Sequence, residues 1–166
     1  MPARTRALCL TRLAEALAAG GDDDTSTAIT AARRELRNAG ADGGDEDKFA
    51  RHCEPRYVAA VEARRRQLLG DPASAKSIFE ELLDDRPASA SIDSGMWHAH
   101  LADCFLHHDP ERAAGHGMSA LRLAQETGSY RIIRATQPLA IALRPHGTLA
   151  SVRAFVEAHR VAVTRQ

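Results

Sequence analysis

A chain of 166 residues with 44% hydrophobic and 27% charged side chains is long enough to bury one substantial core and too short for two large ones. Its basic and acidic side chains balance at a formal net charge of zero, which excludes the global positive field that draws a protein onto a nucleic-acid backbone. Aromatics supply only 4%, so the interior is expected to be built from Ala, Leu, Ile and Val, and no run approaches the ~18 uninterrupted apolar residues of a membrane span.

The apolar periodicity is helical almost throughout. A first helix is predicted over residues 3–19, with Leu10, Leu13, Ala14 and Leu17 as its apolar stripe and Gly20-Gly21 as its end. Arg12 and Glu15 interrupt that run, which argues for a cytoplasmic amphipathic helix and against a signal peptide. Asp24 or Thr25 caps a second helix to about Asn38, and GADGGDEDK, residues 40–48, reads as a loop. Pro55 opens a third helix that ends near Leu68-Leu69-Gly70.

Asp71-Pro72 opens a fourth helix and Arg86-Pro87 closes it, because the residue before proline is pushed out of helical geometry. Ser91 to Ser94 lead into a fifth helix ending at His107 or His108, and Asp109-Pro110-Glu111 starts a sixth that ends at Gly128. Ser129 caps a seventh, which Pro138 is expected to kink or interrupt. Pro145-His146-Gly147 stops it, and Thr148 caps an eighth to about Val161. The chain thus reads as one all-α domain over residues 1–166, made of about four antiparallel hairpins.

Two hairpins share a spacing. Ala75, Phe79, Leu82 and Pro87 in one, and Leu101, Ala102, Phe105, Ala114, Met118 and Leu121 in the next, resemble the tetratricopeptide repeat. Small residues such as Ala102 and Ala114 let helices approach, with Phe79, Phe105 and Met118 expected to fill the space beside them. Glu62 and Arg66 depart from the pattern, standing in the third helix where it wants apolar residues. The run ALRLAQETGSYRIIRATQPLAIALRPHGTLASVRAFVE, Ala120 to Glu157, is similar to the end of the tetratricopeptide-like regulatory region of actinobacterial helix-turn-helix transcriptional regulators. That resemblance implies a tetratricopeptide-like superhelix acting as a regulatory domain. No recognition helix is assignable, and the segment before Ala3 leaves no room for the DNA-binding part, so direct nucleic-acid binding is not expected.

The function expected on this basis is recognition of a peptide, small ligand or protein partner on a concave surface. The repeat register places Met96, Ala99, Asp103, Leu106 and His107 there, and Tyr57 and Tyr130 join them as amphipathic contact residues. A homodimer through the apolar C-terminal helices, with Leu149, Val152, Phe155 and Val156, is a further expectation. The alternative is a small helical enzyme or biosynthetic accessory protein. It would use the fifth helix, since MWHAHLADCFLHHDPERAAGHG, residues 96–117, holds five of the eight histidines.

In that stretch His100, Cys104 and His108 follow one another at four-residue spacing; one straight helix does not bring all three to a point, so a metal site would take two of them with a ligand from elsewhere, such as His116. Packing and capping account for the same residues without a metal, and no cofactor is implied. Of this group His100, His107 and His116 are the ones the repeat frame leaves unexplained. The acidic clusters Asp22-Asp23-Asp24 and Asp45-Glu46-Asp47 read as capped or solvated connections, and Arg64-Arg65-Arg66 spreads around a helix. No nucleophile elbow or paired CxxC occurs, and the three cysteines, Cys9, Cys53 and Cys104, suit free thiols in a reducing compartment.

Overall fold

Local end signals decide where the helices begin. Asp71 Oδ1, Ser91 Oγ and Asp109 Oδ1 each accept the backbone N–H three residues on, from Ser74 at 3.1 Å, Ser94 at 3.0 Å and Arg112 at 3.0 Å. Proline follows Asp71 and Asp109, at a helical position that needs no donor. The computed structural model describes residues 1–21, 24–41, 50–85 and 91–164. In chain order they form α1 (Ala3–Ala19), α2 (Thr25–Ala41), α3 (Pro55–Leu68), α4 (Pro72–Asp84), α5 (Ile92–Phe105), α6 (Pro110–Thr127), α7 (Tyr130–Ala142) and α8 (Ala150–Thr164), with a 3-10 turn at Arg144–His146.

The fold is all-α, as expected, and none of these helices is long and apolar enough to cross a membrane. Asp22-Asp23, the Asp45-Glu46-Asp47 cluster and the Arg86-Pro87 stop signal lie outside the described residues.

Three end signals act differently from expectation. Ser129 stands at the start of α7 without a capping bond from its side chain. The eighth helix starts at Ala150, so Thr148 is not its cap. Pro138 does not interrupt α7: both it and Arg134, whose carbonyl loses a donor, are exposed residues, so the helix keeps this defect on its solvent side.

The chain divides into two units inside α4, one of residues 1–78 and one of residues 79–166. In the first, α1 packs on α2 and both pack on α3. The stripe α1 buries is Ala3, Ala7, Thr11, Ala14 and Ala18, while Leu13 is 50% exposed and Leu10 and Leu17 are only partly covered. The expected leucine stripe is therefore corrected to one of small residues. Alanine lets α1 come close to α2, and Thr11 satisfies its hydroxyl on the Ala7 carbonyl at 2.7 Å.

Glu62, the acid that breaks the repeat pattern, is buried on α3 and accepts from Arg66 at 2.8 Å and from Arg33. Two guanidinium groups thus offset its loss of water.

The second unit stacks the α5/α6 hairpin on α7 and α8, with α5 against α7 and α6 against both. Its core holds Phe79, Leu101, Leu123, Ile132, Leu139, Leu143, Val152 and Phe155, and the single tryptophan, Trp97, is buried on α5. Two glycines set the helix spacing. A Cβ at Gly95 would stand 2.4 Å from Ile132 Cδ1, and one at Gly117 would stand 2.6 Å from Phe155 Cε2.

Met118, expected in the core, is 40% exposed, because its neighbour Gly117 is the residue turned toward α8. Val152 and Phe155 belong to this core, so of the four residues offered as a dimer surface only Leu149 and Val156 retain partial exposure.

Gly117→Ala is therefore expected to destabilise the protein by about 1–3 kcal/mol through overpacking. Gly115→Ala, two residues away on the same helix and facing open space, is expected to stabilise it by about 0.5–1 kcal/mol. Urea unfolding of the two variants beside the parent chain measures both.

Candidate functional site

An antiparallel hairpin brings together residues equidistant from its turn. With the turn at Leu106–His108, that rule pairs His98 of α5 with His116 of α6, and their Nδ1 atoms stand 3.1 Å apart. One Nδ1–H donates to the other ring's Nδ1, so in the neutral pair the accepting ring carries its proton on Nε2. The ring centres are 5.4 Å apart. That exceeds the nitrogen separation by roughly the two centre-to-nitrogen radii of imidazole, so the rings meet edge to edge with their in-plane lone-pair directions aimed at each other.

Around this pair the second unit forms a cleft of about 580 Å³. Its walls are Glu80, Leu83 and Asp84 from α4, His98 and Leu101 from α5, and Arg112, His116, Ser119 and Arg122 from α6. Each helix contributes residues three or four apart, which is one face. Acids line the α4 wall and guanidinium groups the α6 wall, joined by Arg112 to Glu80 at 3.4 Å.

Phe105 forms the support behind the histidines. Its ring lies 5.5 Å from that of His116 at an interplanar angle of 12°, and the Arg112 guanidinium sits 4.0 Å from its centre. Burial holds the His116 pKa below the ordinary imidazole value, the Arg112 charge adds to that, and Glu80 partly opposes it. His116 is therefore a neutral imidazole near pH 7.

The residues expected to bind ligand lie elsewhere. Met96, Ala99 and Asp103 do not line this cleft: they stand about 200°, 100° and 140° around α5 from His98. Ala99 is 1% exposed and offers no side-chain contact. Leu106 and His107 fall just beyond the end of α5 at Phe105, Leu106 half-buried and His107 exposed. Tyr57, in the first unit, is half-buried against that unit's core with the Arg12 guanidinium 5.5 Å over its ring. Tyr130, in the second unit, is exposed at the start of α7. Neither the cleft between α4, α5 and α6 nor the two along α8 brings the α5 candidates and Tyr130 together.

The metal alternative is likewise not assembled. His100 lies against Phe79 with ring centres 5.9 Å apart, Cys104 is buried with its Sγ donating to the His100 carbonyl at 3.5 Å, and His108 is exposed in the turn. Among the described residues no three His, Cys, Asp or Glu converge on one point. Of the three unexplained histidines only His116 reaches the cleft. Its partner His98 was not singled out by spacing along one helix; the reflection of the hairpin about its turn is the signal that finds it.

Comparison with protein-family models, with curated proteins and with solved structures finds no match to this chain.

The depressed pKa of His116 fixes a pH dependence. Unfolded chain takes up the proton near pH 6.5 and folded chain only at lower pH, so this contribution to stability is complete above pH 6.5 and lost as the pH falls below it. His159 of α8, whose pKa burial lowers against the opposing Ile133 carbonyl, acts in the same direction. Unfolding free energies measured across pH 5 to 8 should fall on the acid side, and His116→Gln and His159→Gln should each flatten that slope.

Proposed function

We propose that this protein is a tetratricopeptide-like binding module of regulatory type, and that it recognises its ligand in the cleft between α4, α5 and α6. The stacking of the α5/α6 hairpin on α7 and α8, with Ala102 and Ala114 fully buried, supports the repeat reading. The resemblance of Ala120–Glu157 to the regulatory region of helix-turn-helix regulators supports the regulatory role.

The observation that carries the choice of ligand is the division of charge between facing walls: Glu80 and Asp84 on one, Arg112 and Arg122 on the other. A small molecule or short peptide with both an ammonium and a carboxylate can exchange the Arg112–Glu80 contact for one bond to each wall. That contact is exposed and contributes little by itself, so its loss is a small cost of binding. The His98–His116 pair adds a hydrogen-bonding edge to the cleft.

Amide chemical-shift mapping with free Glu-Lys and Lys-Glu dipeptides tests this reading. The expected shifts cluster at residues 80–84, 98–101 and 112–122, and Arg112→Ala or Glu80→Ala weakens binding about tenfold, the scale of a lost hydrogen bond to a charged group. Shifts running along Met96, Asp103 and Leu106, or no effect of either substitution, would refute the assignment of the cleft.

A further inference from the structure

We infer that the His98–His116 pair is a two-coordinate site for a monovalent d10 metal ion, Cu(I) being the physiological member of that class. The argument rests on direction as much as distance. Lone pairs that converge at an angle suit Zn2+ or Ni2+, which then need further ligands to complete four or more positions. Here the two Nδ1 atoms face one another head-on, and among the described residues no third His, Cys, Asp or Glu joins them. Linear coordination by two neutral imidazoles is the arrangement that a soft monovalent ion accepts and that divalent ions resist.

Metal–imidazole bonds of roughly 2 Å in a line put the nitrogens roughly 4 Å apart, so the pair has to open by just under ~1 Å from its present 3.1 Å. Side-chain rotation at half-buried His98 can supply that movement. The proton balance closes within the pair. The ring that donates through Nδ1–H shifts its proton to Nε2, both Nδ1 lone pairs become free for the ion, and no net proton is released.

The charged groups around the pair act in opposite directions: Arg112 opposes a cation at His116, Glu80 favours it, and the two are joined to each other at 3.4 Å. Phe105 covers the face of the His116 ring and leaves the Nδ1 edge toward His98. This inference concerns the pair alone and does not depend on what the cleft recognises.

The test is Cu(I) titration of the full chain carrying Cys9→Ser, in competition with bicinchoninate under reducing, anaerobic conditions. Cys9 is the exposed thiol, whereas Cys53 and Cys104 are buried. The expected result is one Cu(I) per chain with an X-ray absorption spectrum of two nitrogen neighbours in linear coordination. That binding should be lost in His98→Asn and in His116→Asn and unchanged in His107→Asn and His108→Asn. Circular dichroism confirms folding of each variant, and His98→Asn carries the test alone if His116→Asn is unfolded. No binding, a sulfur neighbour in the spectrum, or binding that survives His98→Asn overturns the inference.

Discussion

The second unit depends on two places where a side chain is missing. Gly95 lets α5 lie against Ile132 of α7, and Gly117 lets α6 lie against Phe155 of α8. Because interiors are packed to crystal-like density, these contacts leave the hairpin no freedom to rotate on the helices behind it. The face of α5 and α6 turned away from that contact is fixed by the same stroke. His98, Leu101, Arg112, His116 and Ser119 owe their shared orientation to glycines that never touch the cleft.

The contrast between the two units follows from which small residues each uses. The first unit closes over alanines, with Ala7, Ala14, Ala28 and Ala32 in its core and Ile29, Val58 and Val61 filling between them. Its buried acid, Glu62, is tied by two arginines that keep contact with water. The second unit concentrates the aromatic side chains, Phe79, Trp97, Phe105 and Phe155, and uses them twice. Phe155 fills the core, while Phe105 supports both an imidazole and a guanidinium at the cleft.

Signals confined to a few neighbouring residues were legible in the sequence. Asp71-Pro72, Asp109-Pro110, Ser91 and Gly128, the last with φ of 66°, end or start helices where a reading of the chain puts them. Readings that assume the larger side chain goes inside failed at Leu13 and Met118, because close helix approach selects the small neighbour and turns the large one outward. Pro138 shows the complementary limit: a helix tolerates it on its exposed side, which no local pattern reveals. The candidate site was half visible. His116 stood out by composition, but Glu80 and Arg112 come from different helices, and His98 is tied to His116 only through reflection about the hairpin turn. Such pairings are properties of tertiary geometry.

Trp97 lies in the buried face of α5, and the first unit contains no tryptophan. Its emission therefore follows the melting of residues 79–166 alone, while far-ultraviolet ellipticity sums the helices of both units. Superimposable curves from the two signals would mark a single cooperative transition, and separate curves would mark a chain in which one unit can be lost while the other persists. The placement of one indole thus gives this chain a built-in optical label for the half that holds the cleft.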